Sequence, residues 1–265
     1  MNESTLLKIV GQNAQGHFTF LPQTLGFKVY PWAGVSITYA GLGTSLFNIA
    51  YGSPADGAGD SLKSIIHQVK DAFEGQPFAW WLPPGQQRPE LTEALREEGF
   101  VVESLEQALV CDLRECPPPL PQTDLRIQPV NTAILRDDFI RVLVPYDASA
   151  RPFYSRMGRE YFNLAERLFV GYAGEEPVTI GVIYLREQSA GIFSLLTRPS
   201  YQGKGYGTDR MRYLLNFACR KGCLCVSLSA SSAQGYRIYE RLGFKQVGAF
   251  ECFEWTGVRG QAGEG

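Results

Sequence analysis

Three glycines in alternate positions, Gly203, Gly205 and Gly207, interrupt the stretch SLLTRPSYQGKGYGTDRMRYLLNFA that runs from Ser194 to Ala218. An apolar segment leads into them and a helix-like pattern follows. Glycine lets successive backbone N–H groups turn toward one point and lets a ligand approach the chain closely. The first turn of the next helix adds amides without intrahelical partners and the positive end of its dipole. The chemistry that suits this arrangement is anion binding, and phosphate binding above all. Two common phosphate loops do not fit. A Walker A loop follows its Gly-Lys with Ser or Thr, whereas Lys204 is followed by Gly205. A dinucleotide fingerprint spaces its glycines Gly-x-Gly-x-x-Gly and ends the next strand on an acid. Here the spacing is Gly-x-Gly-x-Gly, and the next strand ends in Ser-Ala-Ser.

The elements around this loop read as alternating strands and helices. In the second half, LRIQPV is a strand and residues 131–168 are mostly helical, interrupted at VPYDASARP. LFVGYAG and PVTIGVIYLRE are adjacent strands, and AGIFSLLT is the strand that enters the loop. The helix after the loop runs to about Arg220, LCVSLSA is an apolar strand, and AQGYRIYERLGF is a helix stopped by Gly243. A last strand or strand pair reaches Trp255. The first half opens with a helix-like segment around Leu6–Ala14, then strand-like stretches at Gly26–Pro31, Gly34–Tyr39 and Ser45–Tyr51. After the loop SPADGAGDS, the residues Leu62, Ile65, Ile66, Val69 and Phe73 mark a helical stripe. PFAWWL is a strand, PELTEALREEGF a helix stopped by Gly99, and FVVESLEQALVCDL a closing strand or strand pair.

The segment EALREEGFVVESLEQALVCDL lies over RIYERLGFKQVGAFECFEWTG without a gap, so that Gly99-Phe100 falls on Gly243-Phe244. The two halves read as copies of one βαβαβ-type plan. That order of strands and crossover helices predicts an α/β or α+β mixed sheet with a parallel part at its centre. RECPPPLPQTD, from Arg114 to Asp124, is the joint between them, since consecutive prolines favour an extended linker.

The whole-chain properties narrow the function classes. The 265 residues are 45% hydrophobic and 20% charged, enough apolar material for real cores. Net charge is −2 with no Lys/Arg block, which argues against nucleic acid as a partner. No apolar run is long enough to span a bilayer. MNESTLLKIVGQNAQ lacks the basic and apolar regions of a signal peptide. The cysteines, Cys111, Cys116, Cys219, Cys223, Cys225 and Cys252, match neither a disulfide framework nor a zinc site, so reduced structural cysteines and a cytoplasmic location are expected. No metal is expected. The two histidines, His17 and His67, both lie in the first half, so chemistry in the second half is expected to work without a histidine base.

Gln202-Gly203-Lys204-Gly205-Tyr206-Gly207 resembles the Gln/Arg-x-x-Gly-x-Gly/Ala pyrophosphate loop of the GNAT N-acetyltransferase superfamily. Downstream, YRIYERLGFK is similar to the Tyr-Glu-Lys-x-Gly-Phe segment of the same superfamily, separated from the loop by a helix and a strand. The resemblance covers roughly Leu125–Trp255 and the first half only weakly. It implies two tandem GNAT-like domains with central strands flanked by helices. Residues 1–115 would be a degenerate copy, 116–124 the Pro-rich linker, 125–256 the acetyltransferase domain and 257–265 a tail. The first copy has SPADGAGDS at its loop position, where Asp56 and Asp60 would repel a pyrophosphate.

The resemblance implies transfer of an acetyl group from acetyl-CoA (coenzyme A) to an amine by direct attack. Backbone amides of Gly203, Lys204, Gly205, Gly207 and Thr208, after Gln202, would hold the pyrophosphate. Tyr206 would pack or flank, and Lys204 either adds charge to a phosphate or stays solvated. The backbone of Leu195, Leu196 and Thr197, where the strand splays, would polarise the thioester and contact the pantetheine arm. Tyr239 holds the position of the proton donor to the departing thiolate, with Tyr236 in reserve. Seven residues before it, Ser232 stands where many members carry Asn. The base is open, with Glu187, Glu251 and Glu254 as candidates acting through water. In this fold the opening helices line the acceptor site. There Asp147 would pair with an ammonium and Tyr146, Phe153, Tyr154 and Tyr161 would wall a pocket, or the segment is an amphipathic cover. A small-molecule or amino-acid-like amine is the implied acceptor. The alternatives are a non-catalytic acyl-CoA-binding sensor, or an interaction protein whose N-terminal half recruits a partner protein.

Overall fold

The computed structural model describes residues 1–55, 61–115, 118–162 and 164–257. In chain order the elements are α1 (Glu3–Thr24), β1 (Lys28–Trp32), β2 (Val35–Tyr39), β3 (Asn48–Tyr51), α2 (Leu62–Ala72), β4 (Phe78–Leu82), α3 (Pro89–Glu97) and β5 (Val101–Asp112). The second half continues with β6 (Arg126–Pro129), α4 (Ala133–Leu143), α5 (Ala150–Tyr154), β7 (Glu166–Ala173), β8 (Glu176–Arg186) and β9 (Ser189–Thr197). It ends with α6 (Tyr206–Arg220), β10 (Cys225–Ala230), α7 (Ala233–Arg241) and β11 (Lys245–Trp255). Polar side chains start several helices. Ser61, Thr132 and Ser232 cap α2, α4 and α7 by accepting from the backbone N–H three residues on.

These elements form two compact units whose chain segments interleave: Met1–His17 with Gln107–Gly248, and Phe18–Glu106 with Ala249–Gly265. The division into 1–115 and 125–256 follows the internal resemblance of the sequence. The units instead exchange the ends of β5 and β11, the two strands that close the repeated plan. The expectation that chemistry at the glycine loop works without a histidine base is reopened by this finding, because His17 belongs to the unit that carries the loop.

The loop-bearing unit has the strand order β5-β10-β9-β8-β7-β6. Its strands are antiparallel except β9 and β10, which run parallel with α6 as their crossover. Its core gathers Leu109, Ile183, Ile192, Val226 and Leu228 from the strands with Met211, Leu214 and Leu215 from α6. The other unit has the order β1-β2-β3-β4-β11, again with one parallel pair, β3 and β4, joined through α2. Its core is aromatic: Phe73 stacks on Phe78 at 3.9 Å, and Trp80 donates its indole N–H to the Gly52 carbonyl at 2.9 Å.

The repeat read in the sequence recurs in the way two helices end. Gly99 and Gly243 take φ of +86° and +89° after α3 and α7. Phe100 N–H bonds back to Leu95 at 3.0 Å, and Phe244 N–H to Tyr239 at 3.1 Å. This is the same Schellman closure at both positions, where a left-handed residue requires glycine. One segment departs from expectation. Residues 131–168 are not helical to their end, since α5 is only Ala150–Tyr154 and strand β7 begins at Glu166. ERLFVGYA buries nearly all its residues between two neighbouring strands, so it carries no period-2 pattern to announce it.

Candidate functional site

The glycine loop opens α6, as the sequence predicts. Gly203 and Gly205 have φ of +78° and +83°, and a Cβ on Gly205 would also stand 3.2 Å from the Thr123 side chain. Gly205 is the helix cap, and among the described residues no side-chain cap bond reaches the first turn. Asp209 N–H is the first to bond back, to the Gly205 carbonyl at 3.0 Å. The amides of Tyr206, Gly207 and Thr208 therefore have no acceptor within the helix, and they stand at the positive end of its dipole.

These amides border an open cleft of about 630 Å³. Strand β9 contributes Leu195 and Thr197 to its wall, the loop Gln202, Gly203 and Gly205, and the start of α6 Tyr206, Gly207 and Thr208. Ser232 and Tyr239 close it from the side of α7. Two predicted contacts are placed elsewhere. Leu196 is not on the wall, because its carbonyl turns to Thr179 Oγ1 at 2.6 Å and Arg210 Nη1 at 2.5 Å. Lys204 is exposed and sits over the Tyr201 ring, 4.9 Å from its centroid. Gln202 uses its amide to bond the Thr197 carbonyl at 3.0 Å, tying loop to strand. Tyr206 is buried against Leu125 and Val178 and donates to Asp124 at 3.3 Å, in keeping with a packing role.

Strand β9 splays as expected. Ile180 of β8 pairs with Leu196 while Val182 pairs with Phe193, so β9 carries an extra residue, and Ser194 takes a φ of +51° there. On its other edge β9 pairs with β10 only through Ser189, Ala190 and Gly191. From Ile192 onward that edge has no ladder partner in β10.

Arg210 was not predicted. It is buried, lines the cleft, and donates through Nη1 to Thr179 Oγ1 at 2.6 Å and to the carbonyls of Ile180 and Leu196 at 3.0 and 2.5 Å. Its Nε is buried with no hydrogen-bond partner, and among the described residues no carboxylate pairs with it. Burial pushes its pKa down to about 10, and attraction to Tyr239 opposes the shift. The sequence does hold a signal: Tyr206, Arg210, Leu214 and Ala218 fall on one stripe of α6, and a charged residue on an apolar stripe is unusual. Its neighbour Asp209 is also buried. It accepts from Gln122 N–H at 2.8 Å, from Thr123 N–H and from Arg212 at 2.8 Å. Burial pushes the Asp209 carboxyl up, but these donors outweigh it and hold the group below the usual carboxylate range.

Tyr239 is half-buried beside Phe244, with ring centroids 6.0 Å apart. Gly235 makes room for it: a Cβ there would lie 3.3 Å from the ring and 3.4 Å from the hydroxyl. Tyr236 packs against the core and is not on the cleft wall. The three base candidates are not brought to the cleft. Glu187 sits in the β8–β9 turn, at the other end of β9 from the loop, roughly 25 Å along the strand. Glu251 and Glu254 belong to the other unit, where they accept from Thr92 at 3.0 Å and Ser45 at 2.7 Å.

In the proposed acceptor segment, Phe153 and Tyr154 are buried against each other and Phe139, so they are core rather than pocket wall. Asp147 accepts from Ser149 N–H at 2.7 Å. Tyr146 is exposed and donates to the Thr197 carbonyl at 3.4 Å, and Tyr161 is half-buried in a short 3-10 turn. Asp56 and Asp60 lie outside the described residues.

Residues 133–244 match the model of the acetyltransferase (GNAT) family. No curated protein matches the chain. Among solved structures, a GCN5-related N-acetyltransferase from Kribbella flavida is similar with a TM-score of 0.69 at 16% identity, over 94% of each chain. A GCN5-related N-acetyltransferase-like protein from Streptococcus suis gives 0.59 at 16% identity, over 96% of this chain and 100% of that one. A tandem GNAT protein from the clavulanic acid biosynthesis pathway gives 0.54 at 10% identity, over 78% and 74%. At these identities the likenesses establish the fold.

Proposed function

We propose, because residues 133–244 match the model of the acetyltransferase (GNAT) family, that the loop-bearing unit uses acetyl-CoA to acetylate a primary amine of a small molecule or amino-acid-like acceptor by direct attack. The observation that carries this reading is the pairing of open α6 amides with Tyr239 across one cleft. The residues suit a pyrophosphate. The first-turn amides offer donors, Arg210, Arg237 and Arg241 line the same cleft, and the one carboxylate of the first turn, Asp209, is taken up by Gln122, Thr123 and Arg212. Bound acetyl-CoA supplies a thioester activated for attack at its carbonyl carbon.

In this reading Gly203 to Thr208 hold the phosphates, and Leu195 to Thr197 line the arm and polarise the carbonyl. Leu196 acts through its backbone alone. Lys204 stays in solvent. Ser232 caps α7 with its hydroxyl, accepting from Gly235 N–H at 3.1 Å, and so fixes the helix that carries Tyr239. Tyr239 donates its phenolic proton to the thiolate as it leaves.

The other half is a degenerate copy that has lost acyl-CoA binding, and it serves as a structural partner or a surface for another protein. In the gapless overlay Leu95, fully buried, stands where the second copy has Tyr239. Strands β3 and β4 stay paired to Tyr51, and Gly52 N–H continues to Trp81 at 2.9 Å, so no splay opens there.

Thiol release from acetyl-CoA in the presence of an amine panel tests the reading. Wild-type protein releases thiol with at least one amine, and Tyr239→Phe lowers kcat while leaving acetyl-CoA binding intact. Binding without turnover of any amine, unchanged in Tyr239→Phe, would favour the sensor instead.

A further inference from the structure

Helix α1 lays Asn13, Gly16 and His17 on the sheet of the loop-bearing unit. Asn13 donates to Ser227 Oγ at 2.9 Å and accepts from Ser189 Oγ at 3.2 Å. Gly16 lets the helix press on Tyr184, whose ring lies 2.2 Å from where a Cβ would be. His17 stacks on Phe193 with centroids 4.0 Å apart and planes 6° from parallel, and its Nδ1 lies 3.2 Å from Glu166 Oε2. Glu166 pairs with Tyr184 across β7 and β8, and Tyr184 with Gly191 across β8 and β9, so these residues share one face of the sheet. That face is opposite α6. A Cβ on Gly181 would meet Leu214 of α6, and alternation turns Val182 and its partner Phe193 the other way.

The pair has the form of an oriented base. Glu166 has a side chain only 2% exposed, and among the described residues His17 is its salt-bridge partner. In the tautomer that donates Nδ1–H to Glu166, the basic lone pair is the one on Nε2. His17 keeps 16% of its side-chain surface open to solvent. Among the described residues the pair stands near Tyr154 on α5 and near Tyr184 and Arg186 on β8. Burial pushes both tyrosines up and Glu166 adds to it, so they stay neutral. Phe193, beneath the imidazole, immediately precedes the bulged Ser194, in the stretch of β9 that has no ladder partner in β10.

We propose that His17, oriented by Glu166, is the base that deprotonates the acceptor ammonium. The assignment rests on the acetyl-transfer reading above. An ammonium arriving on the α1 face gives one proton to His17. The freed lone pair attacks the thioester carbonyl carbon; the C–N bond forms and the C–S bond breaks. The sulfur leaves with the electron pair and takes a proton from Tyr239 on the α6 face. The second proton shed by the nitrogen restores the phenol, and His17 returns its proton to water. Base and acid thus work from opposite faces of one strand, the base supplied by a helix at the far end of the chain.

Two measurements on the full chain test this. With only two histidines to assign, ring nitrogen NMR reads the tautomer directly. The expected result is His17 protonated at Nδ1 in wild type and a loss of that preference in Glu166→Gln. The kinetic probes are spermidine, tryptamine and L-lysine methyl ester, with hydroxylamine as a nucleophile already neutral at pH 7. His17→Gln should lower kcat/KM for the probe amines by about 10²–10⁴ and remove the acid limb of the pH profile. Acetyl-CoA affinity and hydroxylamine acetylation should stay near wild type, and Glu166→Gln, a second variant, should show a smaller loss with the same selectivity. Equal losses with amines and hydroxylamine, an unchanged acid limb, or an Nε2-protonated His17 in wild type would overturn the base assignment alone. No acetylation of any of these nucleophiles by wild type would overturn the acetyl-transfer reading, and the base with it.

Discussion

Arg210 Nη1 donates to the Leu196 carbonyl at 2.5 Å, so a buried guanidinium on α6 fixes the strand segment beside the β9 bulge. The same nitrogen holds Thr179 Oγ1 and the Ile180 carbonyl of β8. Removing the guanidinium leaves the Ile180 and Leu196 carbonyls short of a buried donor, which costs stability, while the desolvation cost of the charge itself is relieved. Arg210→Met should therefore lower stability by about 1–3 kcal/mol, while kcat/KM falls by about tenfold or more as the strand loosens and the charge leaves the cleft. Parallel melting curves and thiol-release kinetics check both halves. A large loss of stability with normal kinetics would make Arg210 a purely structural residue.

Gly235 and Tyr239 face each other one helical turn apart. A methyl group at Gly235 would stand 3.1 Å from Ser232 Oγ and 3.4 Å from the Tyr239 hydroxyl. Alanine is a better helix former than glycine by about 1 kcal/mol, so Gly235→Ala should not destabilise the fold appreciably. It should displace the phenol by a few tenths of an ångström and lower kcat severalfold, with little change in the apparent affinity for acetyl-CoA. Steady-state kinetics at saturating amine measure this, and an unchanged kcat would detach Tyr239 from the chemistry.

Asp209 anchors Gln122 and Thr123 to α6, and its carboxyl is held below the ordinary range by those donors and Arg212. A depressed carboxyl stabilises the fold above its unfolded-state pKa. That contribution is lost as pH falls through the lower folded-state value. Asp209→Asn should cost about 1–3 kcal/mol near neutral pH, because a buried acceptor of three donors becomes half amide. The difference from wild type should shrink as the solution is made strongly acid. Denaturant titrations at neutral and acid pH read it.

The parts of this site that the sequence discloses are those made by neighbours in the chain. A helix that opens on open amides needs Gly203 and Gly205 with positive φ, and a helix closed by Gly243 places Tyr239 by counting back. Arg210 was equally local, a charge on the stripe Tyr206–Leu214–Ala218, but reading it required asking why a buried face should carry a guanidinium. The start of β7 was hidden because a strand buried on both sides has no alternation. His17 was out of reach for a different reason. It meets Glu166 across 149 positions, because a helix from the start of the chain belongs to the loop-bearing unit, a pairing that no spacing rule encodes. Glu251 and Glu254 belong to the other unit, a division that the internal resemblance does not show.

The central claim is that the α6 loop binds acetyl-CoA, and calorimetric titration of acetyl-CoA into wild-type protein and a Gly207→Glu variant tests it most directly. Gly207 lies in the first turn, with the Thr197 hydroxyl 3.9 Å and Arg210 Nη2 4.0 Å from where its Cβ would be. A carboxylate there adds like charge at the phosphate site. The account predicts saturable one-to-one binding to wild type and a loss of at least about tenfold in affinity for Gly207→Glu. No heat of binding to the wild type, or equal affinity in the two proteins, would contradict it.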